Sequence, residues 1–371
     1  MKSLADKENE TIEKNFPLRK ISVLHPYLED RIHEIEKGLY PRHHLWGMDG
    51  LKTLKGVQIE LLRSNSIKLP PIFERVANRF FFRNSPGIKA ELSALRASRR
   101  SSLVYSVCGP LSLLPFFGKA KLVSWVFRKP KESTKGFFSP YSPEKLKRHA
   151  AFLCLTKRCR SFFAAHSLSK FMPWCVDMKV FDGKPPSREA NKPFFLATGK
   201  TGRDFNTLIE AAKLVSAEIR IIGPKNRKPL ALPANVLWLD GTSDPPDKAI
   251  DYPTLREWYA QCTATLIPLH GDTEDTCGYT NLLESMAMGK AVIMTRSGCL
   301  DVDPETLGFG FLVSLKSPQE RAEKIKLLSD DSRMANELGN KGRQVAEMQF
   351  SENLFNSEIR RFFDNLLTQI K

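Results

Sequence analysis

The sequence predicts an α/β protein of two tandem domains, each a doubly wound parallel sheet. Three observations carry this. Apolar runs of four to seven residues recur between helical segments, as in strands covered on both faces. A stretch of linker composition, DGKPPSREANKP (182–193), divides the chain near its middle. The 371 residues, 42% hydrophobic and 26% charged, suit two globular domains of about 100–200 residues each.

Taken in order, residues 1–17 lack the apolar core of a signal peptide and are expected to form an unstructured tail. The first domain, 18–182, opens with the strand KISVLHP (20–26) and a long loop containing His43 and His44. A short helix in LWGMDGLKTLKG and the strand VQIELL (57–62) follow. From Ser101 to Gly118 there are 18 uncharged residues, the lower limit for a membrane-spanning helix. Gly109, Pro110 and Pro115 interrupt them, so the segment reads as a strand, LVYSV (103–107), and an apolar helix. KLVSWVF (121–127) and HAAFLCLTKRC (149–159), leading into SFFAAH, complete this half.

After the linker (183–193), the second domain (194–350) alternates more regularly. Its strands are FFLATG (194–199), EIRIIG (218–223), NVLWLDG (235–241), TATLIPL (263–269), AVIMTR (291–296) and FGFLV (309–313). Helices are expected at FNTLIEAAKLV, TLREWYAQC and YTNLLESMAMG, then over 317–329 and 331–371, with the helix 351–371 packing back on the first domain. Two such sheets in tandem enclose a cleft, and ligands bind at the carboxyl ends of the strands facing it.

The net charge of +16 is unevenly placed. Residues 1–192 hold 36 Lys and Arg against 17 Asp and Glu, whereas residues 193–371 hold 21 against 24. Between Arg79 and Lys170 there are 19 basic residues and three acidic ones, Glu91, Glu132 and Glu144. Such a stretch suits a polyanion: nucleic acid, an anionic membrane surface or a phosphorylated substrate. Seven cysteines, odd in number and with no C-x-x-C pair, fit a reducing compartment and suggest neither a disulfide framework nor a metal site.

Two loops carry the candidate chemistry. Gly199-Lys200-Thr201-Gly202-Arg203-Asp204 lies between a strand and a helix, where backbone N–H groups, the positive helix end and two cations converge on a phosphate site. The second runs from His270 through Glu274, Asp275 and Thr276 into a helix opening at Gly278-Tyr279-Thr280-Asn281, with Glu284 about a turn and a half inside at ~3.6 residues per turn. A carboxylate there is placed to accept both hydrogen bonds of a ribose diol.

From FFLATGKTGRDFNTLIEAAKLV through CGYTNLLESMAMGKAVIMTRSG the chain resembles the C-terminal domain of GT-B fold glycosyltransferases, in particular the retaining glycosyltransferase family 4, glycosyl transferases group 1. Met172-Pro173-Trp174-Cys175-Val176-Asp177 with Phe181 is similar to that family's interdomain P-x-G-V-D-x-x-x-F signature, with Cys175 where glycine is usual. The resemblance covers roughly residues 172–350. In the first half only the strand–helix rhythm agrees.

The resemblance implies two Rossmann-like domains: the first binds the acceptor, the second a UDP- or GDP-sugar, and no metal or other cofactor is needed. By position, Lys200 and Arg203 match the pair that clamps the donor diphosphate. Glu284 matches the second glutamate of Glu-x7-Glu, which holds the ribose. Gly199, Gly202, Gly278, Tyr279, Thr280 and Asn281 surround the diphosphate and sugar. The family's first glutamate falls at Thr276, with Glu274 or Asp275 as substitutes. On the acceptor side the candidates are His43, His44 and Arg128, the last standing where the family often has a histidine.

The expectation is therefore a metal-independent retaining glycosyltransferase acting on a glycan or lipid-linked acceptor in cell-surface polysaccharide or glycolipid synthesis. Arg79-Phe80-Phe81-Phe82-Arg83, Trp125, Phe137-Phe138 and Phe162-Phe163 place aromatics among cations, a composition for peripheral association with the anionic inner face of a membrane in the cytoplasm. Each aromatic pair equally suits a core. The rival readings are a nucleotide-sugar epimerase of the same fold and a basic nucleic-acid- or membrane-binding protein without catalysis. No nucleic-acid-binding module supports a nucleic-acid partner.

Overall fold

The computed structural model describes residues 19–130, 139–187, 192–240, 250–271, 276–296, 298 and 300–369. The expected tail, Phe137-Phe138, Glu274, Asp275 and Cys299 lie outside the described residues. The chain divides into two compact units: Met1–Ile32 with His44–Pro173 and Phe355–Lys371, and His33–His43 with Trp174–Leu354.

The first unit is a parallel sheet of β1 (Arg19–Leu24), β2 (Val57–Leu62), β3 (Leu103–Ser106), β4 (Lys121–Val126), β5 (Ala151–Cys154) and β6 (Ser169–Phe171), in the order β2-β1-β3-β4-β5-β6. β3 and β5 are buried along their whole length, as expected of strands covered on both faces. One face packs Leu24, Val104 and Leu122 against Ala90, Ala94 and Ala97 of a helix at Ile88–Ala97. Elsewhere in this unit Trp125 meets Trp46 and Phe355, and Tyr105 meets Phe363. The approach is close enough that a Cβ on Gly50 would lie 2.2 Å from the Asn356 carbonyl, so only glycine fits.

The apolar stretch 101–118 is β3 followed by a loop and a single helical turn, Leu114–Phe117, where a longer helix was expected. Gly109 turns the chain with φ +96°, Pro115 sits in the first turn of the helix, where proline is tolerated, and extended backbone at Gly118 ends it. Among the described residues no helix is long and apolar enough to cross a membrane. The expected strand 149–159 stops at Cys154. Thr156 then caps a helix, its hydroxyl accepting from the Cys159 N–H at 3.0 Å. Phe82, Trp125 and Phe163 belong to the core: β4 and the helix Lys157–Ala164 turn Trp125 and Phe163 inward, and the bend after the helix Pro71–Phe80 packs Phe82 against Ala77 and Ile88.

The second unit contains β7 (Phe194–Thr198), β8 (Glu218–Gly223), β9 (Val236–Asp240), β10 (Ala264–Ile267), β11 (Ala291–Thr295) and β12 (Gly310–Val313), again all parallel, in the order β12-β11-β10-β7-β8-β9. Phe195, Ile221, Leu266 and Ile293 of the sheet pack with Leu208, Ile325 and Leu328 of the covering helices. The chain winds outward from β7 to β9, then returns to build β10 to β12 on the other side. This is the Rossmann order, with its switch point between β7 and β10. The helical stretch expected over 331–371 is two helices, Ser332–Gln349 and Glu352–Gln369. They part at Phe350-Ser351, where the Phe350 carbonyl accepts from the Val176 N–H at 2.9 Å.

Candidate active site

The site grows from the switch point. β7 is apolar and buried up to Thr198, and Gly199 then turns the chain with φ +116°. This lets the Arg203 guanidinium fold back over Gly199. Nε donates to the Thr198 carbonyl at 3.0 Å, Nη1 to the Thr201 carbonyl at 2.9 Å, and Nη2 to Oδ1 of Asn281. A Cβ at position 199 would stand 2.5 Å from Nη2, so glycine is required twice over, by backbone and by space. Lys200 points into solvent beside it.

The loop after β10 is zipped to this one. The His270 N–H donates to the Gly202 carbonyl at 3.1 Å and the Asp204 N–H to the Pro268 carbonyl at 3.2 Å. Gly278, φ +89°, then opens the helix Tyr279–Ala287, and a Cβ there would strike Ile267 at 2.8 Å. Thr276, Thr280 and Asn281 are half-buried. The Tyr279 side chain is buried and shares a hydrogen bond with the Trp174 backbone, so this residue presents its amide to the loop.

Glu284, 2% exposed, terminates a chain of buried polar groups. From Arg203 the connection runs to Asn281, whose Nδ2 donates to Thr198 Oγ1 at 2.5 Å and to the Tyr259 hydroxyl at 3.3 Å. Tyr259 in turn donates to Oε2 of Glu284 at 2.8 Å. Burial pushes the Glu284 carboxyl up to about 7, against the hydrogen bonds from Tyr259 and Asn281 and the charge of Arg203. Burial and the neighbouring carboxylate raise Tyr259 well above the usual tyrosine range. An anion beside Lys200 and the exposed start of the 279–287 helix, with a diol at Glu284, would meet complementary charge and donors at one strand end.

Residues 193–331 match the family described as glycosyl transferases group 1. This part of the second unit is similar to group 1 glycosyltransferases. Similar solved structures include sucrose-phosphate synthase from Thermosynechococcus elongatus, with 13% identity, 95% of this chain and 100% of that one covered, and a TM-score of 0.66. A glycosyltransferase from Rickettsia africae ESF-5 gives 16%, 95%, 99% and 0.61, and Anabaena HepE in complex with UDP gives 12%, 93%, 100% and 0.61. At these identities the likeness is one of fold, and the fold is GT-B. No curated protein sequence matches the chain.

The residues expected on the donor side, Gly199, Lys200, Gly202, Arg203, Thr276, Gly278, Tyr279, Thr280, Asn281 and Glu284, all gather at the β7/β10 switch point. The residues expected on the acceptor side are divided between the two units. His43 belongs to the second unit and is packed, with its Nδ1 accepting from the Asp177 N–H at 3.0 Å and its ring against Trp174. Burial brings its pKa down to about 4, so the ring stays neutral. His44 is half-buried in a short helical turn, and Arg128 is exposed at the carboxyl end of β4.

Sequence reasoning missed Thr198 and Tyr259. Thr198 had a signal, a polar residue closing an apolar strand just before a glycine turn. Tyr259 had none, because its helix, Tyr252–Gln261, reaches the site only through the tertiary fold. His25 was also missed. It closes β1 beside β3, the switch point of the first sheet, with Nε2 donating to the His44 carbonyl at 2.9 Å and burial holding its pKa at about 4.

Proposed function

We propose that this protein is a glycosyltransferase that takes a UDP- or GDP-sugar at the 199–204 and 276–284 loops and transfers the sugar, with retention of configuration, to a glycan or lipid-linked acceptor. The acceptor lies at the cytoplasmic face of a membrane, in cell-surface polysaccharide or glycolipid synthesis. The observation that carries the donor reading is the buried connection from Arg203 through Asn281 and Tyr259 to Glu284. It sets a cation and a carboxyl, the partners of a diphosphate and a ribose diol, in fixed relation at a switch point. Complexes of Anabaena HepE with UDP and with UDP-glucose support a uridine donor by analogy of fold.

The chemistry follows from charge. As the bond from the anomeric carbon to the diphosphate oxygen breaks, negative charge grows on the diphosphate and positive charge on the sugar. Lys200, Arg203 and the N–H groups opening the 279–287 helix favour the departing diphosphate more than the intact donor, and so lower the barrier. The acceptor hydroxyl attacks from the leaving-group side. Its oxygen bonds the anomeric carbon, and its proton passes to the diphosphate. Glu284 holds the ribose and takes no proton from the acceptor.

Thermal shift with UDP, GDP, UDP-sugars and GDP-sugars tests this directly. A ligand at about a hundred times its Kd adds about 2.7 kcal/mol to stability, a shift of several degrees. One base series is expected to raise the melting temperature, and Lys200→Ala to cut the rise to about half. No shift with any nucleotide would end the reading.

A further inference from the structure

The helix Pro71–Phe80 is turned inside out. An amphipathic helix ordinarily buries its apolar stripe and shows its charges to water. At about 100° per residue, Ile72, Val76, Phe80 and Phe73 share an arc roughly 100° wide, with Arg75 and Arg79 along one margin. That arc faces solvent: Ile72 is 78% exposed, Phe73 54%, Val76 43% and Phe80 68%. The opposite face holds the helix down. Ala77 is buried with Phe82 and Ile88, the Asn78 side-chain oxygen accepts from the Ile88 N–H at 2.8 Å, and Glu74 pairs with Lys89 at 2.8 Å. The helix's one acidic residue is thus neutralised on the protein side, and its outward face carries only cations.

A second apolar projection stands on the same support. Leu113 packs against the cluster of Ala77, Phe82 and Ile88, and the turn Leu114–Phe117 that follows leaves Phe117 69% and Phe116 38% exposed. The Arg148 guanidinium lies 4.5 Å from the centre of the Phe116 ring. The buried carboxylate of Glu91 fixes the approach to this turn, accepting from the Ser112 N–H at 2.7 Å and the Leu113 N–H at 3.0 Å. Large apolar side chains are therefore mounted in water on rigid elements, with guanidinium groups beside them. A contiguous apolar patch of this kind marks a surface that something covers.

We propose that the Pro71–Phe80 helix and the Phe116-Phe117 tip are the docking surface for a bilayer containing anionic lipid. This deepens, and rests on, the membrane reading above. Ile72, Val76, Phe80 and Phe117 enter the acyl boundary, while Arg75, Arg79 and Arg148 meet headgroup phosphates, the division by depth that an interfacial helix makes. Charge selects lipid over a protein partner. The stretch 79–170 sets 19 cations against three acids, one of which, Glu91, is buried.

Flotation of the full chain with phosphatidylcholine vesicles, with and without phosphatidylglycerol, tests the assignment. The wild type is expected to float with the mixed vesicles. The triple variant I72S/V76S/F80S lowers that partitioning at least about tenfold. R75Q/R79Q lowers it at least about fivefold on mixed vesicles and leaves binding to the neutral ones unchanged. Both variants keep the wild-type melting temperature and nucleotide-induced shift, since these side chains face solvent. A wild type that stays off the mixed vesicles overturns both the assignment and the membrane reading. Equal flotation of wild type and triple variant overturns the assignment alone. A wild-type dimer that ignores vesicles and that the triple variant converts to monomer makes the face an interface between copies, which also overturns it.

Discussion

The hydroxyl of Tyr259 donates a 2.8 Å hydrogen bond to Oε2 of Glu284, with both side chains closed off from solvent. In that enclosure the carboxyl titrates at about 7, so near neutrality it is a mixture of acid and anion. A ribose diol donates hydrogen bonds and favours the anion, so binding releases a proton wherever the free carboxyl is protonated. Nucleotide affinity is expected to rise between about pH 6 and about pH 8 and then level off. Glu284→Gln removes the slope and lowers affinity at least about tenfold. Calorimetric titration in buffers of differing ionisation enthalpy reads the proton, and a wild-type affinity independent of pH would refute the ribose assignment.

Lys200 and Arg203 are expected to respond differently to removal. Lys200 is exposed, so Lys200→Ala changes stability by less than about 0.5 kcal/mol while weakening nucleotide binding about tenfold. Arg203→Ala deprives two carbonyls and Asn281 of a buried donor, and costs about 2–4 kcal/mol in addition to binding. Urea denaturation beside nucleotide titration separates the two, and equal stability of both variants would show that the Arg203 contacts contribute nothing to the fold.

Gly199→Ala places a methyl 2.5 Å from the Arg203 guanidinium at a residue with φ +116°. The substitution is expected to cost about 1–3 kcal/mol and to raise the donor KM, because the guanidinium must leave its place between Thr198 and Asn281. A melting temperature and KM unchanged from wild type would mean that the loop accommodates the methyl freely.

Three buried histidines, His25, His43 and His149, are each brought by burial from a usual 6.5 down to about 4. The unfolded chain binds their protons first. Their contribution to stability is complete above about pH 6.5 and is lost as pH falls toward 4. Glu284 works oppositely: raised from 4.5 to about 7, it contributes stability at low pH that is lost as pH rises through 7. Denaturant midpoints are expected to fall between about pH 6.5 and about 4.5, more steeply in Glu284→Gln than in wild type. Midpoints constant across that window would contradict the burial of these rings.

Much of the second unit is legible in the sequence because its strands are continuous apolar runs and its helices begin at recognisable caps. Asp204, for instance, accepts from the Thr207 N–H at 3.1 Å. The elements missed in the first unit lack such marks. β6 is only Ser-Lys-Phe, half-buried at the sheet edge, and exists by pairing with β5. The helix Pro71–Phe80 buries a single alanine, so its apolar residues point away from any core that a periodicity argument would look for. At the site, Gly199, Lys200, Arg203 and Glu284 are readable from their places at strand and helix ends. That Arg203 and Glu284 are joined through Asn281 and Tyr259 is a product of the fold, since the four residues come from a loop and two helices that no local rule brings together.

The helix Glu352–Gln369 supplies Phe355, Ile359 and Phe363 to the core of the unit that begins at β1. During synthesis, residues 19–173 leave the ribosome long before these rings exist to cover Trp125, Tyr105 and the glycines at 47 and 50. The unit translated first is thus the one completed last. In the interval its apolar face stays uncovered, the kind of transient surface that favours aggregation.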